Sequence, residues 1–209
     1  MKAQKLSKYK IVVISITIIG IFMGTASFAG ATTANTVINS TISSVISLLS
    51  TSGTVTVNVT PTGSGAQTIG ADTVTVSTND PGGYTLTLAS SSAQTTLLSG
   101  SNTIPGSTGT VSTPVYQAVN TWGYCVYDSA YSTGWTNSNC PSGTTSNTAI
   151  SGTYKFAGVP ASGSPATIVD YTGGTATNRV DTVYYAVAAN TSQPSGTYSN
   201  TVTYTATTN

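Results

Sequence analysis

The chain has 209 residues, of which 5% are charged and 38% hydrophobic, with a formal net charge of +1. Six Lys and Arg stand against five Asp, with no Glu and no His. So few cations exclude a surface that neutralises many phosphates or holds an anionic membrane, and the missing His excludes Ser-His-Asp and Cys-His catalysis.

The first element reads as a leader. Lys2, Lys5, Lys8 and Lys10 form a basic start, Ile11 to Gly24 an apolar run, and Ala29-Gly30-Ala31 an A-x-A-like cleavage site. This pattern predicts a secretory signal peptide over residues 1–31. The charge-free stretch 11–31 is also long enough for a bilayer about 30 Å thick, so a retained anchor is the alternative, and the one route to a membrane. Cleavage leaves Lys155 and Arg179 against Asp72, Asp80, Asp128, Asp170 and Asp181, a net charge of −3. Ser and Thr, 71 in the whole chain, then supply the polar surface in place of charge. Such a surface is hydrated, but it guards strand edges poorly.

Residues 32–52 form an N-terminal extended segment ahead of the main domain. Within "TVINSTISSVISLLS" (36–50), Ile38, Ile42, Val45, Ile46 and Leu49 sit at near-helical spacing. The many β-branched residues and the lack of Ala, Glu, Lys and Arg argue for extended chain, at least from Ser43.

Residues 53–209 are expected to form one antiparallel β-sandwich, Ig-like or jelly-roll-like, in an all-β chain. "GTVTVNVT" (53–60) alternates Val55, Val57 and Val59 with polar residues. Residues 71–90 read as strand, turn and strand, with the reversal at Asn79–Gly83, where Pro81 and two glycines suit a tight turn. Further strands are expected at Pro114–Val119, Thr121–Tyr127, Thr153–Ala157, Ala166–Asp170, 181–190 and 196–209. In the last of these, Tyr198, Val202, Tyr204 and Ala206 share one face.

Both cysteines and both tryptophans fall in "NTWGYCVYDSAYSTGWTNSNCPSG" (120–143). In a secreted chain Cys125 and Cys140 read as a disulfide closing a loop over 125–140. Strand alternation sends Trp122, Tyr124 and Val126 to one face and Cys125 and Tyr127 to the other. Trp122 is then a core residue, and the disulfide lies outside the core. Trp135 has no apolar neighbour in sequence and is expected to be exposed. It reads either as a lid on an exposed sheet edge or apolar patch, or as a sugar-stacking platform with Tyr127 or Tyr131.

The stretches "DTVTVSTNDPGGYTLTLA", "SGSNTIP", "NTWGY", "FAGVPASGSPATI" and "TSQPSGTYSNTVTYTATTN" together resemble the uncharacterised secreted surface proteins of Saccharibacteria and related reduced-genome bacteria. The resemblance covers most of the chain after the leader. It implies an extracellular β-rich protein at a bacterial cell surface and no catalytic residue. The cysteines and Trp135 lie outside it.

No metal site or cofactor is expected. Two cysteines cannot make a Cys₄ zinc site, and Asp128, Asp170 and Asp181 show no calcium-loop spacing. Lys155 is expected on a solvated face, with a Lys–Asn isopeptide crosslink as the less favoured reading. These residues point to a non-catalytic secreted protein with a structural or adhesive role. Two alternatives stand beside it. One is a self-assembling filament or layer subunit that uses 36–50 as a donor strand. The other is a glycan-binding module using Trp135, Tyr127 and Tyr131. Its partners are accordingly other copies of itself, or glycans or proteins of a host or cell surface, and not nucleic acid.

Overall fold

The computed structural model describes residues 33–127, 134–136 and 138–209. The expected signal segment, together with Asp128 and Tyr131, lies outside them. The described chain is all-β, with every paired strand antiparallel. The strands are β1 (Ile46–Ser50), β2 (Ala66–Thr78), β3 (Tyr84–Ser90), β4 (Leu97–Ser99), β5 (Asn102–Ile104), β6 (Val115–Tyr116), β7 (Thr121–Tyr127), β8 (Thr145–Thr148), β9 (Lys155–Phe156), β10 (Ala166–Tyr171), β11 (Ala176–Ala189) and β12 (Val202–Thr208). The described residues up to Ile42 belong to one compact unit and Ser43–Asn209, with the sandwich, to another.

One sheet runs β1-β2-β11-β7, with β8 pairing β2, and the second runs β10-β3-β12. β4 with β5 and β6 with β9 make two short ladders. β2 and β11 are the longest strands, in one register from Val76–Arg179 to Ala66–Ala189, with a register shift before Thr78–Ala176. Their even-numbered and odd-numbered partners, Val74, Val76 and Val183, turn inward onto Leu86, Leu88 and Tyr84 of β3. This is the expected sandwich core, built by period-two alternation.

Two polar contacts cross it. The Tyr84 hydroxyl donates to Asp181 Oδ2 at 2.8 Å, and the Tyr185 and Tyr204 hydroxyls lie 2.7 Å apart. Both join the larger sheet to the smaller one. Buried hydroxyls and carboxylates are tolerated because each meets a partner. The 79–83 reversal forms as expected: Gly83 takes φ +89°, and a Cβ there would strike the Tyr171 carbonyl.

Several elements depart from the sequence reading. Residues 46–50 are the first strand of the sandwich, paired from Ile46–Thr78 to Ser50–Val74, so the sheet begins before residue 53. Residues 53–60 form no strand. They run extended, with Val55, Val57 and Val59 half-buried in alternation, but make no ladder. The reason is competition for one edge. β11 occupies one side of β2 throughout, and β8 pairs Gln67 and Ile69 on the side that β1 would otherwise extend along. The displaced segment packs instead over Gly70, where a Cβ would meet Val55 and Val57. β2 starts five residues earlier than the pattern at 71 suggested, and the ladders of β4, β5 and β8 carry no alternation to announce them. Tyr198 is not part of the last strand; its hydroxyl donates to the Pro194 carbonyl. Lys155 lies in β9, with its Nζ 5.3 Å from the Tyr116 ring centroid.

Burial holds the Asp181 carboxyl above the ordinary carboxylate range, against the opposing pull of the Tyr84 hydrogen bond and Arg179. The folded state therefore binds its proton more tightly than the unfolded chain. The associated stability is full below the unfolded pKa and is lost as pH rises through the folded one. The melting temperature of the wild type, measured against Asp181→Asn, should thus improve as pH falls through the raised pKa. A difference independent of pH, or one that narrows on acidification, would show the sign to be wrong.

Candidate functional site

The region singled out by sequence is built around β7. β7 pairs β11 through Trp122–Val187, Tyr124–Tyr185 and Cys125–Tyr184. Its other edge is capped by short contacts rather than a strand. The Trp122 amide donates to the Pro105 carbonyl, the Ser107 amide to the Trp122 carbonyl, and Tyr124 and Ala157 exchange both backbone bonds. Trp122 is buried as expected, and its Nε1 donates to the Thr95 carbonyl at 3.0 Å.

The disulfide joins Cys125 and Cys140, with Cα atoms 5.9 Å apart. The face assignment holds, since Cys125 stands opposite Tyr184 while Tyr124 stands opposite Tyr185. The expectation that the disulfide lies outside the core does not hold. Cys125 and Cys140 are both buried and belong to the continuous apolar core. The outer face of this half of the sheet carries Ile69 and Ala186, also buried, and Gln67, whose Oε1 accepts from the Ser151 amide at 3.1 Å. The chain around Ser151 thus adds a partial layer over this face.

Trp135 is the clearest correction. It is 4% exposed, with its ring 5.5 Å from that of Tyr124 and tilted by 56°. Gly134 beside it has φ +94°, and a Cβ there would strike the Val111 carbonyl. That close approach carries Trp135 into the core. Cys140 bonds to the outward side of β7, whereas Trp135 meets the inward-facing Tyr124. The loop therefore reaches both faces across the capped edge. Apolar partners distant in sequence overturn the exposed-platform expectation: a tryptophan sequestered in this way offers no face for a sugar to stack on. Tyr127 does not join it, and packs edge-on against Tyr184 at 6.3 Å.

A cleft of about 460 Å³ lies beside this cluster, lined by Thr95, Pro105, Ser107, Val111, Tyr124 and Val159 among others. The Tyr124 hydroxyl is buried without a hydrogen-bond partner among the described residues, and burial raises its pKa far above the ordinary phenol value. The phenol therefore stays protonated, and among the described residues the cleft lining holds hydroxyls and apolar groups but no charge. Among the described residues no group of three or more His, Cys, Asp and Glu is placed to hold a metal.

The described charged residues serve the fold. Asp72 accepts from the Ser50 hydroxyl at 2.7 Å and the Ser52 amide at 3.0 Å, fixing the exit of β1. Asp80 accepts from the Gly82 amide in its turn. Asp170 lies 3.5 Å from Asn209 Nδ2. Arg179 lies over the Tyr171 ring and 3.3 Å from Asp181. Sequence reasoning read Asp80 as a turn residue but gave Asp72 no role. The signal available was its place in "GADTVTV", where an acid takes an inward position between small residues and valines.

Compared with known proteins, the chain matches no family model, no curated sequence and no solved structure.

Two measurements check this arrangement. Trp135→Ala should cost about 3–4 kcal/mol, in the range of other large-to-small aromatic truncations in cores. Reduction of the disulfide should cost about 3 kcal/mol, because it frees a loop of this size. Acrylamide should quench neither tryptophan strongly in the oxidised protein. After reduction, quenching should rise for Trp135 but not for Trp122, as read from the two single-tryptophan variants. Strong quenching of Trp135 in the oxidised protein would refute its burial.

Proposed function

We propose that this is a non-catalytic secreted protein of the bacterial cell surface, with a structural or adhesive role. The observation that supports it most directly is the use of charge. Asp72, Asp80, Asp170, Asp181, Arg179 and Lys155 each brace a strand, a turn or an aromatic ring. Their chemistry is committed to holding the sandwich together, while the hydroxyls of Ser and Thr serve the surface. A neutral, hydrogen-bonding exterior suits a coat that meets changing ionic strength, since salt screens interactions between exposed charges and leaves uncharged ones little altered. The buried disulfide fits an oxidising compartment outside the cytoplasm. The resemblance to Saccharibacterial surface proteins gives the same setting.

Fractionation with thiol labelling tests the reading. Protein recovered from washed cells or medium should begin at Gly30 or Thr32, after Ala29 or Ala31, carry no labelled thiol, and be shaved from intact cells by protease. A full-length cytoplasmic pool with both cysteines labelled would overturn it.

A further inference from the structure

We propose that the flank of the sandwich formed by residues 54–59 and the free edge of β12 is a strand-acceptor site, and that its occupant is residues 36–42 of a second copy. The idea rests on the surface-protein reading for its biological setting, and on the geometry below for its substance.

The acceptor is defined by backbone. Residues 54–59 are extended, yet none of them makes a backbone–backbone hydrogen bond with another described residue. Asn58 O accepts from the Thr68 hydroxyl, and just past the segment the Thr60 amide donates to Asn147 Oδ1. β12 ends its sheet, paired with β3 alone. A chain of contacts links the two stretches. Val55 and Val57 lie on Gly70, Gly70 is the register partner of Tyr185, and the Tyr185 hydroxyl bonds to Tyr204 of β12. Inward from this flank lie the half-buried Val55, Val202, Tyr204 and Ala206, all packed on the core. Extended backbone with unmet amides and carbonyls, over a partly covered apolar strip, is a template for another strand.

Nothing on the flank repels such a strand. Residues 33–60 and 196–209 contain no Asp, Glu, Lys or Arg. Natural edges are commonly protected by charge, proline or a covering element, and β7 shows such a cover on this same molecule.

The donor is described as well. Residues 33–45 form no strand, and they expose Val37, Ile38 (88%), Ile42 (84%) and Val45. In an extended chain Ile38 and Ile42 fall on one face with Ser40 between them. At about 3.3 Å per residue, the seven residues 36–42 span about 23 Å, enough to match the seven-residue β12. The donor's own flank is the less favoured target. Asn79 bonds both Ser43 and Val45, through Nδ2 to the Ser43 carbonyl and Oδ1 from the Val45 amide, and holds them in line with β1. No Gly or Pro lies between Thr33 and Ser52 to turn the chain back. A donor on one copy and an acceptor on another make a head-to-tail contact, which builds chains rather than closed dimers.

Complementation tests this in the full processed chain recovered after export. A donor-dead variant carries Ile38→Asp and Ile42→Asp; an acceptor-dead variant carries Thr203→Lys and Thr205→Lys. Both sets alter exposed side chains, and unchanged melting temperatures confirm folding. In sedimentation velocity the wild type should form a concentration-dependent series of oligomers. Each variant alone should associate about 100-fold more weakly, as expected when two buried isoleucines or two edge positions are lost. Mixed one to one, the variants should form a heterodimer that stops at two chains, because only one competent donor and one competent acceptor remain. A synthetic peptide of residues 36–42 should bind the donor-dead variant and not the acceptor-dead one. A wild type that stays monomeric across the range, or variants that assemble as well as it does, would overturn the proposal. So would a mixture that forms no heterodimer. None of these results bears on thiol state or surface exposure, so the secreted-protein reading stands or falls separately.

Discussion

The antiparallel pairing of β2 with β11 is the constraint from which the other contacts follow. From Ala66–Ala189 to Thr78–Ala176 it is the one ladder that runs the full height of the larger sheet. Its upper half is covered on the inner face by β3 and β12, and its lower half is buried on both faces. Because side chains alternate, the same two strands supply the sandwich interior and the floor of the added layer. A one-residue slip would move Val74 and Val76 outward and Asp181 away from Tyr84. Register is therefore held by apolar burial and by two cross-sheet hydroxyl contacts that work only in the observed alignment.

That constraint explains how so few charges are distributed. In a protein with a charged exterior, ion pairs at the surface contribute little individually. Here each described acid stands where it has structural consequence. Asp181 is fully buried between Tyr84 and Arg179, and Asp72 receives two donors from the chain leaving β1. Breaking such a buried contact by removing one partner leaves an unmet polar group, which costs more than the contact contributes net. These acids therefore specify geometry more than they add stability. Asp72 in particular ties the first strand to the core and makes it integral to its own sandwich, so that any strand exchange must draw on the residues before it.

Alternation in the sequence reported burial faithfully and pairing poorly. Val74 and Val76, Leu86 and Leu88, and Trp122, Tyr124 and Val126 all face inward as their spacing indicates. Val55, Val57 and Val59 follow the same pattern and are half-buried, yet they belong to no sheet, because pairing depends on which segment reaches the β2 edge first in space. The short ladders were illegible for the opposite reason: two or three residues are too few to show a period. Trp135 was misread because its surroundings in sequence, "STGWTNSN", are polar, whereas its surroundings in space are Tyr124 and the Val111 backbone. The disulfide carried part of the missing information. A loop closed at Cys125 and Cys140 keeps residue 135 near β7, and a large apolar ring held beside a sheet will bury against it where a gap exists. Gly134 supplies the close backbone approach that makes the gap reachable.

The two flanks of the sandwich treat exposed backbone in opposite ways. At β7 the open edge is closed by four backbone bonds from residues 105–107 and 157, then by the disulfide loop that reaches around it. At β12, and along 54–59, extended backbone is left without such a cover among the described residues. A protein that avoids edge pairing with charge could protect both flanks at the cost of a few lysines. This chain has almost no charge to use, and it spends structure on one flank alone. The physical requirement is the same on both sides: backbone amides and carbonyls must be met by protein or by water. Water can meet them at β12, but it cannot cover the half-buried Val202, Tyr204 and Ala206 beside them. An apolar strand can do both, and the exposed isoleucines ahead of β1 have the composition and length for it.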